Sequence, residues 1–166
     1  MTIAVVKNKG RLAEILLVED NRGDVVLLER AFRKSQILTN IKSVPNAEQA
    51  LSLLRKEGAY EAAATPDIII LDLNLPQMNG KELLQIVKTD PRLKHIPVVI
   101  LSSSRAEEDV VRSYGLHANG YIVKPTSLVQ FEDLVSSLEK FFFMLVMLPD
   151  SDDFYKSEIS DNDSRL

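Results

Sequence analysis

Five short runs of mostly branched apolar residues recur along this chain, and a segment with helical spacing of its apolar residues follows each run. Apolar runs of this length are typical of strands buried on both faces of a sheet. Strands that alternate with helices are typical of βαβ units, in which the strands are parallel. We therefore predict an α/β fold with five parallel strands and five helices. The predicted strands lie at residues 15–18, 41–44, 68–71, 98–101 and 121–123.

The predicted helices begin at residue types that favour the N-cap position. A short polar side chain there accepts a hydrogen bond from an N–H group of the first turn. The N-caps that we predict for the first four helices are Asp24, Asn46, Asn79 and Ser104, and the fifth helix begins near Ser127.

Carboxylates follow two of the predicted strands directly. Asp72 comes after the run 68–71, and Glu19 and Asp20 come after the run 15–18. Ligands bind at the carboxyl ends of the strands in open α/β sheets. Three carboxylates gathered there need a cation, and oxygen ligands of this kind suit Mg²⁺. A plainer alternative is that Glu19 and Asp20 cap the first helix and that Asp72 begins a turn.

Two polar residues at the ends of the later strands favour a cation site over that alternative. Ser102 follows the run 98–101, and Lys124 follows the run 121–123. A lysine at the end of a buried strand is costly unless it is paired, and the carboxylates are its obvious partners. These groups together predict a phosphoryl site, in which Mg²⁺ and Lys124 neutralise oxygens, Ser102 donates a hydrogen bond and Asp72 is the nucleophile.

With these residues the chain resembles the receiver domain of bacterial two-component response regulators, over residues 14–139. Asp72 and Ser102 are 30 residues apart, and Ser102 and Lys124 are 22 apart. Both spacings are similar to those in that family, and Tyr121 lies three residues before the lysine, as in that family. The resemblance implies a flavodoxin-like doubly wound sheet with strand order 2-1-3-4-5, as in chemotaxis regulators. It also implies a phosphoacceptor signalling protein and not an enzyme that acts on a separate substrate.

The resemblance also implies a role for each site residue. Asp72 is the implied phosphoacceptor, and Lys124 contacts the phosphoryl group. Ser102 and Tyr121 are the implied switch residues. The Lys124-Pro125 bond is cis in most members of that family, so a cis bond is expected here. The implied ligands of Mg²⁺, or of another divalent cation such as Mn²⁺, are Glu19, Asp20, Asp72 and the backbone carbonyl of Asn74.

A narrower resemblance concerns residues 72–82 and the Phe-rich end that closes with Leu148-Pro149. These segments resemble the small regulators that partner cyanobacterial and other bacterial phytochrome histidine kinases. The implied partner is therefore a histidine kinase of the phytochrome type, in a cytoplasmic phosphorelay.

The last predicted helix carries an apolar seam at heptad-like spacing. Every residue from 141 to 148 is apolar, so no face of this segment is left for water and it must be buried. Two interpretations stay open: the subunit interface of a homodimer, or a core helix whose last turn folds back or becomes a short strand. The candidate interface residues are Phe131, Leu134, Leu138, Phe141, Phe142, Leu145 and Leu148.

The distribution of charge argues against nucleic acid as a partner. Residues 149–166 contain six acidic and two basic side chains, which account for the whole net charge of -4. The rest of the chain is neutral by count and has no cluster of Lys or Arg that would bind a phosphate backbone. We expect residues 1–12 to be an N-terminal extension, residues 13–148 a receiver domain with an extended C-terminal segment, and residues 149–166 a disordered tail.

The absence of cysteine and of long apolar runs excludes further classes of protein. The absence of cysteine excludes disulfides and zinc-thiolate sites. No apolar run approaches the roughly 20 residues that span a bilayer, so we expect no membrane partner.

Two rival functions share parts of the pattern. A Mg²⁺-dependent phosphatase with an aspartate nucleophile also places Asp-x-Asp after a buried strand. Here the second position is Asn74, which cannot protonate a leaving group. A phosphorylation-independent binding module with the receiver fold would not need the complete set of site side chains.

Overall fold

The structure is a computed structural model that describes residues 12–103 and 115–141. These residues form five β-strands and four α-helices, and a short 3₁₀ helix, Gly58–Tyr60, follows the second α-helix. The strands are β1 (Ala13–Val18), β2 (Thr39–Val44), β3 (Ile68–Asp72), β4 (Val98–Ser102) and β5 (Gly120–Val123). The α-helices are α1 (Arg22–Arg33), α2 (Ala47–Leu54), α3 (Gly80–Thr89) and α4 (Leu128–Leu138).

All five predicted strands are confirmed. The helix predicted between β4 and β5, with Ser104 as its cap, falls on residues 104–114 and so lies outside the described residues. Residues 1–11 of the predicted N-terminal extension and the predicted tail, residues 149–166, also lie outside them.

The five strands form one parallel sheet in the order β2-β1-β3-β4-β5, so the predicted fold class is confirmed. The register keeps the carboxyl ends of the strands level. Val18 lies beside Leu71, and Ser102 lies beside Val123. Polar residues that follow these positions therefore reach the same edge of the sheet.

Helices cover both faces of the sheet. On one face, α2 and α3 pack against a core that includes Ile69 and Ile100; on the other, α1 and α4 pack against Ile15 and Ile70. Every residue of β3 and β4 is buried. Fully burying one of their aliphatic side chains stabilises the fold by about 1.5–3 kcal/mol. The two central strands are therefore held firmly, and they fix the position of the polar residues at their carboxyl ends.

Three of the predicted N-caps are confirmed. Asn46, Asn79 and Ser127 each accept a hydrogen bond from the N–H group three residues further on. The prediction that Asp24 caps α1 is wrong, because Asn21 is the cap and its Oδ1 accepts from the N–H of Asp24 at 3.1 Å. The helix begins before its apolar residues do, so the apolar pattern cannot show its first turn.

The apolar seam of α4 is buried within the chain itself. Phe131, Leu134 and Leu138 are 1%, 7% and 4% exposed, and they belong to the same core as α1. Phe141, just beyond α4, is 55% exposed. The other three candidate interface residues follow Phe141 and lie outside the described residues.

No helix in the described part of the chain is both long enough and apolar enough to cross a bilayer.

Candidate functional site

The ends of four strands bring the candidate site residues to one edge of the sheet. Asp72 ends β3 and Ser102 ends β4, while Glu19 and Lys124 directly follow β1 and β5. The N–H of Glu19 donates to the Val44 carbonyl at 3.0 Å, and the N–H of Lys124 donates to the Ser102 carbonyl at 2.8 Å. These bonds fix the backbone on both sides of the site.

Glu19, Asp20 and Asp72 form an acidic cluster. One carboxylate oxygen of each lies within 4.8 Å of the others. Glu19 and Asp72 are buried, at 3% and 4% exposure, whereas Asp20 is exposed. Adjacent buried carboxylates repel one another and lose hydration, and a hard cation with oxygen ligands offsets both costs. The donor set therefore fits a divalent cation such as Mg²⁺.

The Lys124 ammonium contacts three carboxylates. Its Nζ lies 2.7 Å from Glu19 Oε2, 3.0 Å from Asp24 Oδ2 and 3.1 Å from Asp72 Oδ2. An ammonium has three N–H donors, so each donor has a carboxylate acceptor. The side chain is 12% exposed, and the surrounding negative charges make this burial tolerable.

Burial and neighbouring charges shift the pKa values of Glu19 and Lys124. Burial raises the pKa of Glu19 to about 7, and the charge of Asp72 adds to the rise. The hydrogen bonds from Lys124 and from the Asn21 N–H oppose this rise. Burial acts to lower the pKa of Lys124, but its hydrogen bonds to Glu19, Asp24 and Asp72 outweigh burial and raise that pKa. The ammonium therefore stays charged, and the acids around it outnumber it.

Both oxygens of Asp72 accept hydrogen bonds. Oδ1 accepts from the N–H of Asn74 at 2.9 Å, and Oδ2 accepts from Lys124 Nζ at 3.1 Å. The side-chain amide of Asn74 donates to the Ser102 Oγ at 3.4 Å, and Ser102 is fully buried. Asn74 therefore links the hydroxyl to an Asp72 carboxylate of fixed orientation.

The turn between β3 and α3 packs closely behind Asp72. The N–H of Gly80 donates to the Leu73 carbonyl at 3.0 Å. A Cβ atom on Gly80 would collide with the Asp72 carbonyl oxygen and the Leu73 Cα. The first turn of α3 can approach the end of β3 only because this residue has no side chain.

Tyr121 and the Lys124-Pro125 bond are the two other features predicted near Lys124 in the sequence. Tyr121 lies on β5 and is partly buried against the core beneath α2 and α3. The Lys124-Pro125 bond is trans, so the expected cis bond is wrong. Trans is the isomer that X–Pro bonds favour intrinsically, and Lys124 makes all its carboxylate contacts from it.

Asp24 is a site residue that sequence reasoning missed. The sequence pattern predicts a capping role for it, but its carboxylate contacts Lys124. An acid in the first turn of a helix is ordinarily explained by the helix dipole, so no sequence signal distinguishes it. The candidate residues that the structure does bring to this edge of the sheet are Glu19, Asp20, Asp72, Asn74, Ser102 and Lys124.

Buried carboxylates beside a lysine, at the carboxyl edge of a parallel 2-1-3-4-5 sheet, agree with a family match. Residues 15–138 match the model of the response regulator receiver domain, and the chain belongs to that family. Among its relatives is response regulator Rcp1 of Synechocystis sp., which is 39% identical over 135 residues. The match covers 81% of this chain and 92% of that relative.

Solved structures give the same family. The phosphorylated cyanobacterial phytochrome response regulator RcpA has 42% sequence identity and a TM-score of 0.80, and the match covers 84% of this chain and 100% of that one. The Mn²⁺-bound form of response regulator Rcp1 has 38% identity and a TM-score of 0.77, with 83% of this chain and 99% of that one covered.

Proposed function

We propose that this chain is a response regulator that accepts a phosphoryl group from a histidine kinase on Asp72 and signals through changed protein contacts. The observation that carries the proposal is the setting of Asp72. Its carboxylate is buried at a strand end, belongs to an acidic cluster and lies 3.1 Å from the Lys124 ammonium. In this proposal the chain catalyses at most the transfer of the phosphoryl group to its own Asp72 and the later loss of that group, and it acts on no separate substrate.

The residues of the chain can carry out the transfer step. The Asp72 carboxylate attacks phosphorus, the bond from phosphorus to the kinase histidine breaks, and its electron pair returns to the imidazole. The N–H of Asn74 orients Asp72, and Lys124 donates to a phosphoryl oxygen.

A bound divalent cation would neutralise phosphoryl oxygens during this step. We assign its ligands to the acidic cluster Glu19, Asp20 and Asp72, together with the backbone carbonyl of Asn74. Mg²⁺ and Mn²⁺ both suit oxygen ligands. The Mn²⁺-bound form of the relative Rcp1 supports a divalent cation in this chain.

We infer that the side chains of Ser102 and Tyr121 change position in response to the added charge. A phosphoryl group adds a charge of about -1.5 to -2 at the sheet edge. Ser102 is linked to Asp72 through Asn74, so its hydroxyl can turn to donate to that group. Tyr121 lies on the neighbouring strand β5 and is only partly buried, so it can rotate when Ser102 moves. The surface beside β5 and α4 then changes.

We propose a kinase of the phytochrome type as the partner, in a cytoplasmic phosphorelay. The similarity to RcpA, a cyanobacterial phytochrome response regulator, supports this class of kinase. The neutral body of the chain has no basic cluster for nucleic acid, which leaves protein contact as its output.

We also propose a homodimer joined through the Phe-rich end of the chain. Phe141 is 55% exposed and begins the apolar run that ends at Leu148, which includes Phe142 and Leu145. Phe131, Leu134 and Leu138 belong to the core of their own chain, so the interface that we propose begins at Phe141.

Labelling with a phosphoryl donor tests the proposed function. The wild-type chain should take label, in the presence of Mg²⁺, from a phosphorylated phytochrome-type kinase and from acetyl phosphate. Asp72→Asn should take none, while Asp133→Asn, on an exposed position of α4, should match the wild type. Full labelling of Asp72→Asn would refute the acceptor, and a wild-type chain that takes no label from either donor would refute the function.

A further inference from the structure

Among the three carboxylates around Lys124, Asp24 has no part in the phosphoryl chemistry described above. Its Oδ2 lies 3.0 Å from Nζ, and the Asp24 and Lys124 side chains are 22% and 12% exposed. Asp24 lies in the first turn of α1, whereas Glu19 and Asp72 lie at strand ends. The ammonium is therefore tied to a helix as well as to the sheet.

Helix capping does not account for this position of Asp24. An acid at the third helical position commonly accepts from the N–H of the cap residue. Here the N–H of Asn21 donates to Glu19 Oε1 at 3.0 Å, and Asn21 Oδ1 accepts from the N–H of Asp24 at 3.1 Å. The cap is complete without the Asp24 carboxylate, which reaches Lys124 instead.

Phosphoryl transfer changes what the three N–H groups of Lys124 contact. Glu19 and Asp72 belong to the acidic cluster, and the proposed function assigns both to the cation or the phosphoryl group. Asp24 is not a member of that cluster. It is therefore the carboxylate that stays available to the ammonium when the other two are engaged.

We propose that Asp24 is a positioning residue that holds the Lys124 ammonium in place, so that one N–H points to the incoming phosphoryl oxygen. A lysine head on a flexible four-carbon stem needs such an anchor, because a small displacement of a reacting group lowers the rate. This inference rests on the proposed function and adds to it the residue that orients the lysine.

Variants of Asp24 separate its acceptor oxygen from its charge. Asp24→Ala loses both, and its transfer from acetyl phosphate with Mg²⁺ should be at least about threefold slower than in the wild type. Asp24→Asn keeps an acceptor oxygen and should recover most of the rate. Glu29→Ala removes another acid from α1, away from the site, and serves as the matched control. A wild-type rate in Asp24→Ala would overturn the proposal.

A double-mutant cycle tests whether Asp24 acts through Lys124. In a chain that already carries Lys124→Ala, the further change Asp24→Ala should leave the slow residual rate unaltered. If Asp24→Ala slows that chain by the same factor as it slows the wild type, Asp24 does not act through the lysine and the proposal is wrong.

A second readout needs no phosphoryl transfer. Lys124 should react with acetic anhydride at least about threefold faster in Asp24→Ala than in the wild type, as counted by mass spectrometry, because its ammonium loses a charge-assisted hydrogen bond. Equal reactivity would overturn the positioning role even where labelling succeeds. If Lys124 reacts faster in Asp24→Ala but the wild-type chain takes no label, the contact between Asp24 and Lys124 is supported and only the proposed function is refuted.

Discussion

The Asp72 carboxylate and the Lys124 ammonium lie 3.1 Å apart, although 52 residues separate them in the chain. Asp72 ends β3 and Lys124 follows β5, and β4 lies between these two strands in the sheet. The contact therefore crosses the end of β4, and a long side chain is needed to make it. Ser102 ends β4 and is fully buried.

Replacing Lys124 with Ala should destabilise the chain most when no divalent cation is present. The change leaves the carboxylates of Glu19, Asp24 and Asp72 without their shared counter-charge. We expect the free energy of unfolding to fall by about 3 kcal/mol in a chelator, and by clearly less in saturating Mg²⁺. Urea denaturation with and without Mg²⁺ measures both values.

Lys34→Ala is the matched control for that experiment. Lys34 lies 2.7 Å from Glu132, but its side chain is 65% exposed, so its loss should cost less than about 1 kcal/mol whether or not Mg²⁺ is present. Equal losses from Lys124→Ala with chelator and with Mg²⁺ would show that the cation does not share the acids with the lysine.

Asp20→Asn should weaken binding of a divalent cation at least about tenfold, because it removes one of three carboxylates from the cluster. Wild-type protein should gain about 2.7 kcal/mol of stability at a Mn²⁺ concentration one hundred times its Kd. Isothermal titration with Mn²⁺ measures the affinity, with Asp133→Asn as the control. Equal affinities in the wild type and Asp20→Asn would remove Asp20 from the site.

Gly80→Ala should lower both stability and labelling. The new methyl group would meet backbone atoms of Asp72 and Leu73, which cannot move aside as a flexible side chain would. We expect a loss of about 3 kcal/mol, measured by urea denaturation. Gly115→Ala adds the same methyl group with nothing within 4 Å of it, and should change stability by less than about 0.5 kcal/mol. Equal stability of Gly80→Ala and Gly115→Ala would contradict the close approach, because helix propensity favours alanine over glycine at both positions.

The strands and the main site residues could be predicted because each depends on a local pattern. An apolar run predicts a buried strand, the next residue marks its end, and parallel order then gathers the ends at one edge. Asp72, Ser102 and Lys124 each follow this rule, and their contacts in the structure agree with it.

Two features depend on which surfaces meet in three dimensions, and local patterns do not contain this information. The contact of Asp24 with Lys124 depends on how α1 sits over the sheet edge. The spacing of Phe131, Leu134 and Leu138 shows that one face of α4 is covered, but not whether the covering surface belongs to the same chain. Here α1 and the sheet cover it.

His95 and Glu19 should change the stability of the chain in opposite directions as the pH falls. The raised pKa of Glu19 makes the folded chain bind its proton more readily, whereas the lowered pKa of His95 has the reverse effect. Burial lowers the pKa of His95 below its usual value of 6.5, and the nearby charge of Lys88 adds to this. Lys88 is fixed there because its Nζ donates to the Ile96 carbonyl at 2.7 Å. The unfolded chain then protonates His95 more readily than the folded chain does, so the contribution of His95 to stability is lost as the pH falls through 6.5 and levels off below the folded pKa.

Urea denaturation between roughly pH 7.5 and pH 5 measures this dependence on His95. Because Glu19 titrates in the same range with the opposite sign, the effect of His95 is the difference between two curves: the wild type should lose stability relative to His95→Gln as the pH falls. His117→Gln, which replaces the other histidine of the chain at an exposed position, should keep the slope. An identical slope in wild type and His95→Gln would assign the pH dependence to other groups.

Cutting the chain after Lys140 should convert a dimer into a monomer. The cut removes Phe141, which is 55% exposed, and the apolar run that follows it to Leu148. It leaves Phe131 and the rest of α4 in the core, so the shortened chain should still fold. A second chain, cut after Leu148, loses only the acidic segment 149–166 and should stay dimeric. Sedimentation equilibrium gives the masses. A monomeric wild type would refute the homodimer, and a dimeric chain cut after Lys140 would place its interface elsewhere on the molecule.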